Sequence, residues 1–123
     1  MKVSPDGHLV AIGTLSGLVL FYDYPTGRLR HELKAHSGLV NCVRWFDEGR
    51  RLVTTGLDGT VRIWDTDSFD LVTTLYVGDR QMFSVDVSPN GSAIVASDAD
   101  GEVRLWRTAD FDQTVRDAPA KQR

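Results

Sequence analysis

His36, Thr55 and Asp58 bring an imidazole, a hydroxyl and a carboxylate into the middle of the chain. Those are the residue types of a nucleophile–base–acid set, but such a set works only with an oxyanion hole and a substrate pocket, and no motif here supplies either. A metal centre has no better footing. His8, His31 and His36 lack ligand spacing and have no cysteine partner set. No glycine-rich run precedes a helix, so nothing cradles a phosphate. Asp47-Glu48, and Asp98 with Asp100, read as turn residues before calcium ligands. Cys42 stands alone in an alternating apolar run. It forms no intrachain disulfide and reads as a small buried side chain. No catalytic residue, metal or cofactor is therefore expected.

The bulk numbers narrow the partners. The 123 residues carry 14 basic and 17 acidic side chains, for a net charge of -3. That balance argues against nucleic acid, whose binders cluster Lys and Arg against phosphates. The one basic pair, Arg50-Arg51, fits a solvated hairpin loop. No apolar stretch approaches the ~18 residues of a membrane span. Met1-Lys2-Val3-Ser4-Pro5 lacks a signal-peptide core. The expectation is a cytoplasmic setting with protein or peptide partners, and no membrane.

The elements that position these residues come in triplicate. Gly17, Gly59 and Gly101 recur every 42 residues, as do Tyr22, Trp64 and Trp106, and Gly7, Gly49 and Gly91. No insertion or deletion is needed to align the copies, which marks a repeat architecture. In the middle copy, 39–46 is a β segment and Asp47-Glu48-Gly49 supplies turn chemistry. Residues 51–55 form a second strand, Gly56-Leu57-Asp58-Gly59 a tight hairpin, 60–64 an alternating third strand and 69–76 a β-branched fourth. The third copy gives 82–87, 93–97, 102–106 and a weaker 111–116. The first gives 9–13, 18–22 and 28–33, with its first strand cut short. Each unit is thus a four-stranded antiparallel meander. One such sheet cannot hide both faces, so units stack face to face.

These residues resemble the WD-repeat β-propeller family. The middle copy carries Ala35-His36, Val43-Arg44-Trp45, Thr55-Gly56-Leu57-Asp58-Gly59-Thr60 and Val61-Arg62-Ile63-Trp64-Asp65. The third shows Ser88-Pro89-Asn90-Gly91, Asp100-Gly101 and Leu105-Trp106, and the first shows Ser4-Pro5-Asp6-Gly7, Ser16-Gly17 and Tyr22-Asp23. The resemblance covers about residues 1–116 and implies an all-β fold of three four-stranded antiparallel propeller blades. They lie at 1–34 (inner strand truncated), 35–77 and 78–116, followed by a polar tail at 117–123. It also implies a structural tetrad of His36, Thr55, Asp58 and Trp64, partly repeated as Ser97, Asp100 and Trp106, with Gly78 where the histidine would be. In the first copy Gly13, Ser16 and Tyr22 replace the hydroxyl, Asp and Trp. A buried indole N–H needs an acceptor, and a His, a hydroxyl and an Asp can close such a chain.

Partners of the family often dock at the narrow, channel-facing end. The matching positions here are Leu39, Asn41 and Leu57 in the middle copy, Gln81, Phe83 and Ala99 in the third, and Leu15 in the first. Leu39 and Phe83 have a second reading as packing between blades. Three blades do not close a ring of ~4–8. The chain is then part of a longer propeller or of a head-to-tail oligomer. The expected function is a non-catalytic protein–protein interaction scaffold. The alternative is the regulatory or sensor portion of a larger enzyme or signalling protein, such as a kinase.

Overall fold

The computed structural model describes residues 1–109, so the expected strand at 111–116 and the tail at 117–123 lie outside the described residues. Eleven strands run in chain order: β1 (Lys2–Val3), β2 (Leu9–Gly13), β3 (Leu18–Asp23), β4 (Leu29–Lys34), β5 (Val40–Phe46), β6 (Arg51–Gly56), β7 (Thr60–Asp65), β8 (Leu71–Val77), β9 (Met82–Val87), β10 (Ala93–Asp98) and β11 (Val103–Arg107). They make three antiparallel meanders: sheet 1 from β1–β4, sheet 2 from β5–β8 and sheet 3 from β9–β11. The fold is all-β, as the alternation of 60–64 and its copies requires.

Two local departures have physical causes. The β5–β6 connection is a 3-10 turn at Asp47–Gly49, in which Asp47 and Glu48 both take positive φ. Phe69 is not in the fourth strand. It sits at φ 61 in the turn before β8, where Asp65 Oδ1 accepts the N–H groups of Asp67 and Ser68. Its ring stacks on His31 at 3.9 Å and 10°, so the strained backbone is held by an aromatic contact across sheets 1 and 2.

Successive sheets share their broad flanks. Each sheet has a leading face and a trailing face, set by the period of 2 along its strands. The trailing face of sheet 1 (Ala11, Val19, Phe21) packs on Val40, Val43, Leu52 and Trp64 of sheet 2. The trailing face of sheet 2 (Val53, Val61, Ile63) packs on Met82, Val85, Ile94, Ala96 and Trp106 of sheet 3. Val19, Phe21, Val53, Val61 and Ile63 are fully buried; each such side chain removed from water contributes roughly 1.5–3 kcal/mol. The first junction is tight: a Cβ on Gly13 would lie 2.8 Å from Val40 Cγ1, so the absent side chain sets how closely β2 approaches β5.

Candidate functional site: a buried polar chain and an apolar rim

In β6 and β7, Leu52 pairs with Trp64 and Thr54 with Arg62, while Thr55 pairs with Val61. Trp64 therefore shares the leading face with Thr54, not with Thr55. The indole Nε1–H donates to Thr54 Oγ1 at 3.0 Å. Thr54 Oγ1 lies 2.7 Å from His36 Nε2, and His36 Nδ1 lies 3.1 Å from Asp58 Oδ1. The Thr60 hydroxyl donates to Asp58 Oδ1 at 2.8 Å, and Ser37 N–H to Oδ2 at 3.0 Å.

The tetrad hydroxyl is thus Thr54. Thr55 turns to the opposite face, where its Oγ1 is buried with no hydrogen-bond partner. The same one-residue slip displaces the third copy. Ser97 lies on the trailing face of sheet 3, while Ala96, without a hydroxyl, takes the position of Thr54 beside Trp106. Asp100 is exposed and pairs with Arg80 at 2.6 Å. Among the described residues no hydrogen bond joins Ser97, Asp100 and Trp106.

Chemically the chain Trp64–Thr54–His36–Asp58 is closed. With the indole donating to Thr54, the threonine hydroxyl donates to Nε2 of a neutral imidazole whose Nδ1–H faces the carboxylate. Burial holds His36 below its ordinary value, opposed by the Asp58 carboxylate and aided by Arg62. Burial pushes Asp58 up, but the Ser37 N–H, the Thr60 hydroxyl and His36 outweigh it and leave the carboxyl below its ordinary value. His36 itself is 1% exposed, beyond the reach of any substrate. The geometry ties strands together.

The seven rim positions fall at the end of the sheets where the three hairpins turn. Leu57 N–H donates to Leu39 O at 3.0 Å, and Ala99 N–H to Gln81 O at 2.9 Å, fastening each hairpin tip to the start of its sheet's first strand. The Asn41 side chain donates to Met82 O at 3.0 Å and joins the two pairs across sheets 2 and 3. From sheet 2, Val40 N–H donates to Thr14 O of sheet 1, beside Leu15. Leu15 is 82% exposed and Phe83 47% exposed; Leu39 and Leu57 are half-buried. At the opposite end a cleft of about 490 Å³ opens between sheets 2 and 3 and holds none of these residues. Two ion pairs line it, Arg44 with Asp86 at 3.6 Å and Arg50 with Asp47 at 2.9 Å. Among the described residues no group of three or more His, Cys, Asp or Glu could hold a metal ion. Among the same residues no helix is long and apolar enough to cross a membrane.

Two stretches of the chain, 27–65 and 70–107, match the family described as WD domain, G-beta repeat. Each match begins around the last strand of one sheet and ends with the third strand of the next, so one sequence repeat bridges two sheets. Similar proteins include Retinoblastoma-binding protein homolog 5 of Caenorhabditis elegans, 36% identical over 64 residues, 52% of this chain and 14% of that protein. WD repeat-containing protein 1 of Xenopus tropicalis is 33% identical over 81 residues, 63% of this chain and 13% of that protein. Pre-mRNA-processing factor 17 of Homo sapiens is 32% identical over 97 residues, 74% of this chain and 16% of that protein. The chain spans about one seventh of the length of these relatives. It belongs to the WD-repeat family.

Proposed function

We propose that this WD-repeat segment is a non-catalytic scaffold that binds a partner protein or peptide along its hairpin rim, in a cytoplasmic setting. The observation that carries the reading is Leu15, 82% exposed at a tip whose neighbouring backbone is hydrogen-bonded to sheet 2. A large apolar side chain held in water on a fixed backbone binds at little ordering cost. Phe83 at the start of sheet 3 adds a second apolar anchor on the same rim, with Leu57 and Leu39 between them and Gln81, Asn41 and Ala99 as its polar and small surroundings. The Arg80–Asp100 pair flanks that end. The partner surface that fits is apolar, with rim polarity to spare. Nucleic acid fits poorly against a net charge of -3.

The second reading is that the segment serves as the regulatory or sensor portion of a larger enzyme or signalling protein. Affinity capture tests the rim. The intact chain is compared with a Leu15→Asp, Phe83→Asp variant of equal thermal stability. Loss of specifically retained proteins in the variant supports the rim; identical retained sets remove it.

A further inference from the structure

A second cleft, of about 210 Å³, opens between sheets 1 and 2 at the end away from the hairpin rim. Its walls include Trp45 and Phe69, both half-buried and packed on the core that the two sheets share. Both rings are held. The Trp45 indole N–H donates to Lys2 O at 3.1 Å, and the ring meets Phe21 edge-on at 6.1 Å. Phe69 stacks on His31 at 3.9 Å and touches Phe21 at 4.9 Å. Beside these rings stand the carboxylates of Asp6, Glu48 and Asp67, all exposed. Arg30 also lines the cleft, but its guanidinium donates to Asp23 at 2.5 Å. The larger cleft between sheets 2 and 3 has a different chemistry. Val87 and Asn90 stand there at the positions of Trp45 and Glu48, and Arg44 and Arg50 line it.

We propose that the cleft between sheets 1 and 2 takes an arginine side chain of a partner polypeptide, with its guanidinium against the Trp45 and Phe69 rings and its N–H groups toward the Glu48 and Asp67 carboxylates. Charge complementarity sets the sign: aromatic rings attract a cation through their quadrupole, and the carboxylates beside them add to that pull. Geometry selects the kind of cation. A guanidinium stacks flat on aromatic rings, offers several N–H donors in a fixed fork to carboxylates, and gives up water more readily than an ammonium. A quaternary ammonium has no donor for the carboxylates. Size agrees, since the cleft is below the roughly 300–1,000 Å³ of small-molecule pockets and suits the head of one side chain. The rings are already fixed, so little ordering is lost on binding. This site lies at the opposite end of the sheets from the rim and is independent of the rim reading.

The test is an NMR titration of the isotope-labelled 123-residue chain with a short glycine peptide that carries one central arginine. The Trp45 indole N–H and the Phe69 amide signals are expected to shift and saturate, with a dissociation constant on the order of 1 mM. The indoles of Trp64 and Trp106, both buried, are expected to stay in place. Citrulline in place of arginine keeps the shape and loses the charge, and should give no saturable shift. Lysine in its place should bind at least about three-fold more weakly. Glu48→Gln with Asp67→Asn removes two exposed charges without touching the core, and should weaken the arginine peptide about five-fold. Phe69→Asn, a residue that accepts the φ of 61 at this turn, removes one wall and should weaken it by a similar factor. Circular dichroism reports the folding of each variant, and the carboxylate variant decides the matter if Phe69→Asn unfolds. The proposal is overturned by the absence of a saturable shift at about ten times the expected constant. Equal binding of the citrulline or lysine peptide overturns it as well, as does undiminished binding by the carboxylate variant.

Discussion

The β6–β7 and β10–β11 hairpins occupy the same place in their sheets and are held by opposite means. Under the first lies the His36 ring, and the hairpin opens with Gly56, where a Cβ would come 2.5 Å from His36 Cγ. The bare glycine is what admits the ring. Under the second the position of His36 is Gly78, and the position of Gly56 is Asp98. Asp98 is 5% exposed, and its Oδ1 accepts the N–H groups of Asp100 and Glu102 at 2.9 and 3.0 Å. Sheet 1 resembles the second case: Thr14 Oγ1 accepts Leu18 N–H at 3.0 Å. A ring and a glycine have changed places with a glycine and a carboxylate. The first solution ties residues 18 to 24 apart in sequence, and the second closes only its own turn. The buried polar chain of the middle sheet therefore links β6, β7 and the segment before β5 through one ring, whereas the carboxylate of the third hairpin orders its own turn and leaves the longer ties to Ala99 N–H on Gln81 O and to the exposed Arg80–Asp100 pair.

The largest expected effect breaks the middle solution. His36→Gly removes a fully buried ring and its hydrogen bonds, and should cost about 3–4 kcal/mol of unfolding free energy in a denaturant titration. Gly56→Asp alone should be comparably damaging, because the new side chain collides with His36. The double variant imports the third hairpin's arrangement and should recover about 1–3 kcal/mol of the summed loss. Additive losses would show that the exchange is coincidental. The reverse exchange, Gly78→His with Asp98→Gly, should not rescue: a Cβ at 78 meets the Tyr76 ring at 2.5 Å, and that ring is held under Arg104 at 4.3 Å.

A smaller effect sharpens the assignment of the hydroxyl. Thr54→Val strands the Trp64 N–H and His36 Nε2 in the core and should cost about 2 kcal/mol. Thr55→Val replaces a buried, unpartnered hydroxyl with a methyl of the same shape, and should be neutral or stabilising by up to about 1 kcal/mol. Chemical denaturation of the two variants side by side decides it, and equal losses would return Thr55 to the network.

These adjacent threonines show where sequence reading stopped. The period of 42 and the alternation of Thr60–Asp65 were enough to place the strands, because they reflect what each strand must bury. The choice between Thr54 and Thr55 rests on parity. Trp64 pairs with Leu52, so only even-numbered residues of β6 share its face, a signal available from hairpin register but overridden by family resemblance. The same parity 42 residues on puts Ala96, not Ser97, on the face of Trp106. The exchange between the hairpins was out of reach, since it depends on a Cβ contact between residues 20 apart. The β-branched run of 69–76 predicts a strand from Phe69 onward, but the Asx turn at Asp65 and the His31 stack hold Phe69 outside it.

The smallest effect concerns protonation and again separates the two hairpins. His36 has its folded pKa lowered below the ordinary 6.5 by burial, against the pull of Asp58. Between those values the unfolded chain binds the extra proton and the folded chain does not, so unfolding is favoured as pH drops. The stability contributed by a neutral His36 is complete above about pH 6.5 and declines below it. Asp58, lowered from 3.8, adds a second loss of the same sign at more acid pH. Melting temperatures followed from about pH 7.5 down to about pH 5 should fall for the unaltered chain, and His36→Gln should flatten that limb, because its amide does not titrate. Asp98→Asn, which alters the hairpin that has no histidine beneath it, should leave the limb in place. An acid limb that survives in His36→Gln would mean that the buried ring is not the group that unlatches the middle sheet.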